Sequence, residues 1–266
     1  MRLDLRTSNI FLAQQLVHGW LLLLLFMGCN QEPPPVSTTS SAESPKDGIG
    51  QRRGTDVTGE PGLALLRGPT DAPRIVAFGD SLTAGLGVGS DGAYPAELQR
   101  RLEESGYRYR VINAGVSGET TAGGLRRVPW ILQSKPEIVI LELGGNDGLR
   151  GLHLNDTKAN LEQIIRRFQD AQVTVVLAGM KLPPNYGADY TAGFEAIYHA
   201  LAEQYRLPLI PFFLDGVAGS AALNQADGIH PTAEGYRTIV DAMLPQLFAI
   251  LDRQDKEEKE NGSRAQ

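Results

Sequence analysis

Five short apolar runs, each followed by a helical pattern, constrain this chain more than any other feature. The runs are Arg74–Phe78, Arg110–Ala114, Ile138–Leu143, Val173–Ala178 and Leu207–Phe213. Runs this short and this continuously apolar read as strands buried on both faces, and strand–helix alternation implies a parallel sheet covered by helices on each side. The intervening stretches predict helices over Pro95–Ser105, Asn155–Ala171 and Ala192–Tyr205, and a weaker one over Thr121–Gln133 broken at Pro129. A last helix, capped by Thr232, is bent at Pro245. The expected fold is α/β: one three-layer α/β/α domain over residues 74–251, with a central five-stranded parallel sheet. In such a sheet functional loops lie at the carboxyl ends of the strands, so a motif gains weight when it follows a strand directly.

Four motifs stand where this rule asks for them. Gly79-Asp80-Ser81-Leu82 follows the first strand, and Asn113-Ala114-Gly115-Val116-Ser117-Gly118 closes the second. Gly144-Gly145-Asn146-Asp147 follows the third, and Asp227-Gly228-Ile229-His230-Pro231 precedes the last helix. A serine hydroxyl is a weak nucleophile unless a base takes its proton. His230 is the histidine that a strand-end loop sets beside an acid, and Asp227 lies three residues earlier. In a tight turn that spacing brings the carboxylate to Nδ1 and turns Nε2 toward Ser81, where the carboxylate fixes the tautomer and stabilises the imidazolium. Ser81, Asp227 and His230 are the expected catalytic residues. Asp80 and Asp147 read as organisers of their loops. Glu142 is an odd residue inside an apolar strand and requires a buried partner that the sequence does not name. The run Gly85-Leu86-Gly87-Val88-Gly89 puts Ser90 at the third glycine position of a dinucleotide loop and precedes its helix by too far to serve as one. No Gly-x-Ser-x-Gly elbow occurs.

Taken in order, the four blocks resemble the SGNH hydrolases, the GDSL-type esterases and lipases, over nearly the whole of residues 74–251. The stretch Gly179-Met180-Lys181-Leu182-Pro183-Pro184-Asn185-Tyr186-Gly187 is similar to the periplasmic multifunctional thioesterase, protease and lysophospholipase subgroup, often labelled arylesterases. The resemblance implies the flavodoxin-like SGNH fold and hydrolysis of aryl or acyl esters, thioesters or lysophospholipids through an acyl-enzyme on Ser81. It implies an oxyanion hole made by the backbone N–H groups of Ser81 and Gly115 and the side-chain amide of Asn146, with no cofactor and no metal. A glycine at 115 keeps a side chain from crowding the substrate carbonyl. A shallow groove is expected, lined by Leu82, Leu86, Leu182, Pro183 and Tyr186 with Lys181 at its rim. Two other readings stand beside this one: a carbohydrate O-acetylesterase of the same superfamily, and a binding module without catalysis.

The ends of the chain read differently. Residues 7–31 carry no Asp, Glu, Lys or Arg, and their dense apolar part ends in Gly28-Cys29 before a polar, proline-rich run. That part is too short to span a bilayer and suits a signal-peptide core, and its end resembles a bacterial lipobox. Residues 1–29 are therefore expected to be a leader and Cys29 a lipidation site, holding the exported domain at the periplasmic face of a membrane. Residues 30–73, rich in Pro, Ser, Thr and Gly, are expected to form a flexible linker, with Leu63, Leu65 and Leu66 as possible points of packing. Residues 252–266 are expected to be a disordered charged tail. With Cys29 alone in the chain, no internal disulfide or cysteine-based zinc cluster can form. Twenty-five basic against thirty-one acidic side chains disfavour a nucleic-acid partner. The expected partners are a small-molecule or lipid ester and the membrane, with the domain a monomer.

Overall fold

The computed structural model describes Ala64–Leu65 and residues 72–264; the leader, Cys29 and most of the linker lie outside the described residues. The elements are β1 (Ala64–Leu65), β2 (Arg74–Gly79), α1 (Ser81–Ala84), α2 (Tyr94–Glu104), β3 (Arg110–Asn113) and α3 (Thr121–Gln133). Then come β4 (Ile138–Glu142), α4 (Gly145–Leu149), α5 (Leu154–Asp170), β5 (Thr174–Ala178), α6 (Ala188–Tyr205), β6 (Leu209–Ile210) and α7 (Ala233–Arg264). The sheet order is β1-β3-β2-β4-β5-β6. β2 to β6 are mutually parallel, as the apolar runs predict. Helix α2 packs with α7, and α5 packs with α3 and α6, so helical layers cover the sheet. β2, β4 and β5 are buried almost throughout, and Phe78 meets Phe168 edge to face at 5.9 Å in the core between sheet and helix. The parallel strands follow the flavodoxin-like order, whose switch point falls between β2 and β4. Ser81 and Asn146 stand directly after those two strands.

Several expectations are corrected. The sheet has a sixth strand: β1, inside the segment read as linker, pairs antiparallel with β3, Ala64 opposite Asn113 and Leu65 opposite Ile112. It occupies what would otherwise be a bare sheet edge. β6 is two residues rather than seven, because Pro208 and Pro211 flank it and neither can donate to a ladder. Helix α3 is not broken by Pro129; burial of Val128 and Ile131 on either side of the proline holds it in one piece. Helix α7 runs on to Arg264, so 252–264 are helical where composition argued for disorder. Asp252 accepts from the Tyr107 hydroxyl at 2.7 Å and Gln254 donates to Thr174 at 3.0 Å, which carries the helix past the core, and the Lys and Glu of 256–260 are good helix formers. Thr232 does cap α7, accepting from the Gly235 N–H at 3.2 Å.

Candidate active site

Two short helices that periodicity does not reveal build the site. α1 begins at Ser81 directly after β2, capped by Asp80, whose Oδ1 accepts the Leu82 N–H at 3.0 Å. α4 begins at Gly145 directly after β4 and carries Asn146 in its first turn. The third component is the turn before α7. Asp227 Oδ1 accepts the backbone N–H groups of Ile229 (2.9 Å) and His230 (3.0 Å), and this curls the turn back on itself. Asp227 Oδ2 then lies 2.7 Å from His230 Nδ1, and His230 Nε2 lies 2.8 Å from Ser81 Oγ. The hydroxyl, imidazole and carboxylate thus form one continuous chain. The backbone N–H groups of His230 and Ile229, and then the His230 ring, hold the Asp227 carboxyl down at about 2, so it is ionised at any ordinary pH.

Asn146 donates one N–H to Asp80 Oδ2 at 2.9 Å, which fixes its amide, and Asn146 and Ser81 line the same cavity. Asp80 thereby holds both the helix that bears Ser81 and the Asn146 amide. Burial is the main reason its carboxyl is pushed up to about 6, partly offset by the Leu82 and Asn146 donors. Glu142 finds its partners here. Its Oε2 accepts from Thr83 Oγ1 at 2.8 Å and from the Asp80 N–H at 3.4 Å, tying the end of β4 to the start of α1. Complete burial, reinforced by Asp80, pushes the Glu142 carboxyl well above the usual carboxylate range. Asp147 organises its loop, as expected, accepting from the Thr121 N–H (2.8 Å) and hydroxyl (2.5 Å).

Two expected site residues stand elsewhere. The Gly115 N–H points away from the site and donates to Asn113 Oδ1 at 3.0 Å. Glycine is required at 115 because a Cβ would lie 2.2 Å from the Ala84 backbone nitrogen, so it is α1 and not the substrate that excludes a side chain. Gly118, three residues on and at φ +78°, lines the cavity together with Ser81 and Asn146. Neither the Ser81 nor the Gly118 N–H has an acceptor among the described residues. Tyr186 does not line the cavity either: its hydroxyl donates to the Leu149 carbonyl at 2.9 Å and pins the 180s loop to the end of α4.

The cavity beside Ser81 encloses about 800 Å³. Leu82, Leu86, Leu182 and Pro183 line it as expected, joined by Leu149, Met180, Phe212, Leu214 and Ile229. Lys181 sits at its edge, paired with Glu195 at 2.9 Å. Two positioning residues escaped the sequence reading. Gln225 Nε2 donates to the carbonyls of Leu86 (2.7 Å) and Pro231 (2.9 Å), joining the histidine turn to the loop after α1. Arg127, paired with the half-buried-loop residue Glu119, donates to the Ala114 carbonyl at 3.0 Å and reaches Gly79 O at 3.5 Å, clasping the ends of β3 and β2. Neither has a motif of its own; a charged residue in an amphipathic helix and a glutamine in a loop are ordinary surface residues by pattern.

Residues 77–238 match the model of the GDSL-like Lipase/Acylhydrolase family. The chain is 42% identical over 190 residues to the esterase TesA of Pseudomonas aeruginosa, covering 71% of this chain and 94% of that one. It is 40% identical over 182 residues to thioesterase 1/protease 1/lysophospholipase L1 of Escherichia coli strain K12, covering 68% and 86%. Among solved structures, the psychrotrophic esterase EstA from Pseudoalteromonas sp., inhibited by monoethylphosphonate, superposes with a TM-score of 0.64 at 32% identity, covering 67% of this chain and 98% of that one. The chain belongs to the GDSL-like lipase/acylhydrolase family, and its fold is that of the SGNH hydrolases.

Proposed function

We propose that this protein is a serine hydrolase of carboxylic esters and thioesters that works through an acyl-enzyme on Ser81. The observation that carries this reading is the unbroken chain from Ser81 through His230 to Asp227, opening beside Asn146 into an apolar cavity. His230 Nε2 takes the proton as Ser81 Oγ attacks the carbonyl carbon, then returns it to the departing alcohol or thiol. Water then attacks the acyl carbon and gives a proton to His230, which returns it to Ser81 Oγ as the bond to the acyl group breaks and the acid leaves. Asp227 holds the imidazole in the tautomer that accepts at Nε2 and stabilises the imidazolium. The oxyanion meets the free N–H of Asn146 and the backbone N–H groups of Ser81 and Gly118, with Gly118 in the place first assigned to Gly115. Asn146→Ala is expected to cost about 10²–10³ in kcat, the usual loss for one such donor, with KM little changed; steady-state kinetics on a p-nitrophenyl ester measure it.

An apolar cavity of about 800 Å³ supports acyl, aryl and lysophospholipid esters and thioesters over acetylated sugars, because an acetyl group would leave most of it empty. Each methylene buried is worth up to ~0.8 kcal/mol, so kcat/KM is expected to rise by up to about fourfold per carbon until the cavity is filled. A p-nitrophenyl series from acetyl to palmitoyl tests this. A rise to a medium-chain plateau supports the reading, and a strong preference for acetyl replaces it with the O-acetylesterase one.

The apolar leader ending in Gly28-Cys29 supports export and lipid attachment at Cys29, with the domain at the periplasmic face of the membrane. Cys29→Ser is expected to move the protein from the membrane fraction to a soluble or unprocessed form. An unmodified Cys29 within an intact leader, seen by mass spectrometry, contradicts this.

A further inference from the structure

The large apolar side chains that remain exposed are not scattered. Among the described residues they are Leu86, Val116, Trp130, Leu149, Leu152 and Ile229, and all but Trp130 sit on segments at the carboxyl edge of the sheet. Leu86, Leu149 and Ile229 line the cavity mouth. Val116 stands two residues before Gly118, its N–H bonded to Gly79 O at 3.0 Å at the end of β2. Leu152 follows α4, its N–H bonded to the Asp147 carbonyl at 3.0 Å. Arg150 lies in the same ring and donates to the Gly118 carbonyl at 2.8 Å, which leaves a cation at the mouth. Scattered surface leucines are ordinary, but a ring of them around one opening marks a contact surface.

A second observation says what covers it. β1 runs antiparallel to β3 with Ala64 opposite Asn113, the last residue of β3. The chain arriving from Cys29 therefore joins the sheet at its carboxyl edge, the edge that carries the ring. The 34 residues from 30 to 63 are long enough to let that edge reach the surface that holds Cys29.

We propose that the ring of Leu86, Val116, Leu149, Leu152 and Ile229 docks on a phospholipid surface, so that the active-site mouth opens directly onto the bilayer. The inference rests on the esterase and lipid-anchor readings above and adds the orientation and the form in which substrate is met. The patch is small and would bind weakly alone; the tether makes its contact intramolecular, where weak contacts suffice. Arg150 suits the phosphate of a lipid headgroup. A single-chain phospholipid would then pass its tail from bilayer to cavity without crossing water.

The test uses the full chain produced in a bacterial host and reconstituted in phosphatidylcholine/phosphatidylglycerol vesicles. The parent is compared with Val116→Asp/Leu152→Asp, neither of which lines the cavity, with Leu152→Asp alone, and with Trp130→Asp as a control on α3. Two substrates are used: monomeric p-nitrophenyl butyrate in solution and lysophosphatidylcholine carried in the vesicles. The double variant is expected to keep its p-nitrophenyl butyrate rate within twofold and to lose tenfold or more on the vesicle-borne lipid. Leu152→Asp is expected to lose less, and Trp130→Asp nothing. Equal rates for parent and double variant on the vesicle-borne lipid overturn the proposal. So does an equal loss on both substrates, an equal loss in Trp130→Asp, or a lipid-independent dimer that the double variant abolishes. Failure of the parent to hydrolyse p-nitrophenyl butyrate overturns the esterase reading instead, and an unlipidated Cys29 in the parent overturns the anchor.

Discussion

Ser81→Ala is expected to lower ester hydrolysis by about 10⁴-fold or more while leaving the fold intact. Among the described residues the Ser81 hydroxyl makes one hydrogen bond, to His230 Nε2, and that bond serves no structural purpose that other contacts do not already meet. The turn bearing His230 is held by the Asp227 acceptor and by Gln225, whose N–H donates to the His230 carbonyl at 2.7 Å. α1 is held by Asp80 and by Thr83 on Glu142. Alanine is also a better helix former than serine, so α1 loses nothing in propensity. The expected result is therefore a chemical loss without a thermal one: an unchanged melting temperature, unchanged circular dichroism, and a rate near background. A fall in melting temperature in step with activity would mean that Ser81 is a structural residue.

Asp227→Asn is expected to be the next most damaging change, up to about 10⁴-fold in kcat, the scale set by the equivalent change in other serine triads. Asparagine keeps an oxygen for the Ile229 and His230 N–H groups, so the turn survives. An amide N–H facing Nδ1 nevertheless moves the imidazole proton to Nε2, which then donates to Ser81 and cannot accept from it. The pH dependence separates this role from simple charge. Asp227 is held at about 2 and so is ionised throughout the range above pH 4. A carboxyl lowered in this way gives its full contribution above its ordinary value and loses it only as the pH falls through about 2. The level of activity should therefore drop in Asp227→Asn, and no activity limb above pH 4 should be assignable to Asp227. A variant with wild-type kcat between pH 6 and 8 would remove Asp227 from the catalytic chain.

The parallel sheet was readable because its strands are continuous apolar runs whose burial leaves little other choice. That Ser81, His230 and Asp227 would meet was readable because the first follows a strand directly and the other two share the loop before the last helix. The remainder depended on atoms that pattern does not encode. Whether the Gly115 or the Gly118 N–H faces the cavity is decided by the Asn113 side chain, which takes the first, and by the Ala84 backbone, which packs against it. Tyr186 looked like cavity lining because it is aromatic and lies in the right loop, yet its hydroxyl is drawn to the Leu149 carbonyl. The short helices α1 and α4 lack the turns needed to show a period. β1 is two residues long, and α7 outruns its apolar stripe because Tyr107 and Thr174 receive its polar extension. Glu142 was visible as an anomaly; its partners, Thr83 and the Asp80 N–H, come from another strand's loop.

The central claim, that Ser81 forms the covalent intermediate, is tested most directly by phosphonylation followed by peptide mapping. The intact protein is treated with a fluorophosphonate, and its mass and peptides are measured beside the residual esterase activity. One adduct per chain on Ser81, forming at the rate at which activity is lost and absent from Ser81→Ala, is the result the account predicts. An adduct on another residue that tracks the loss of activity, or full activity with Ser81 modified, would contradict it.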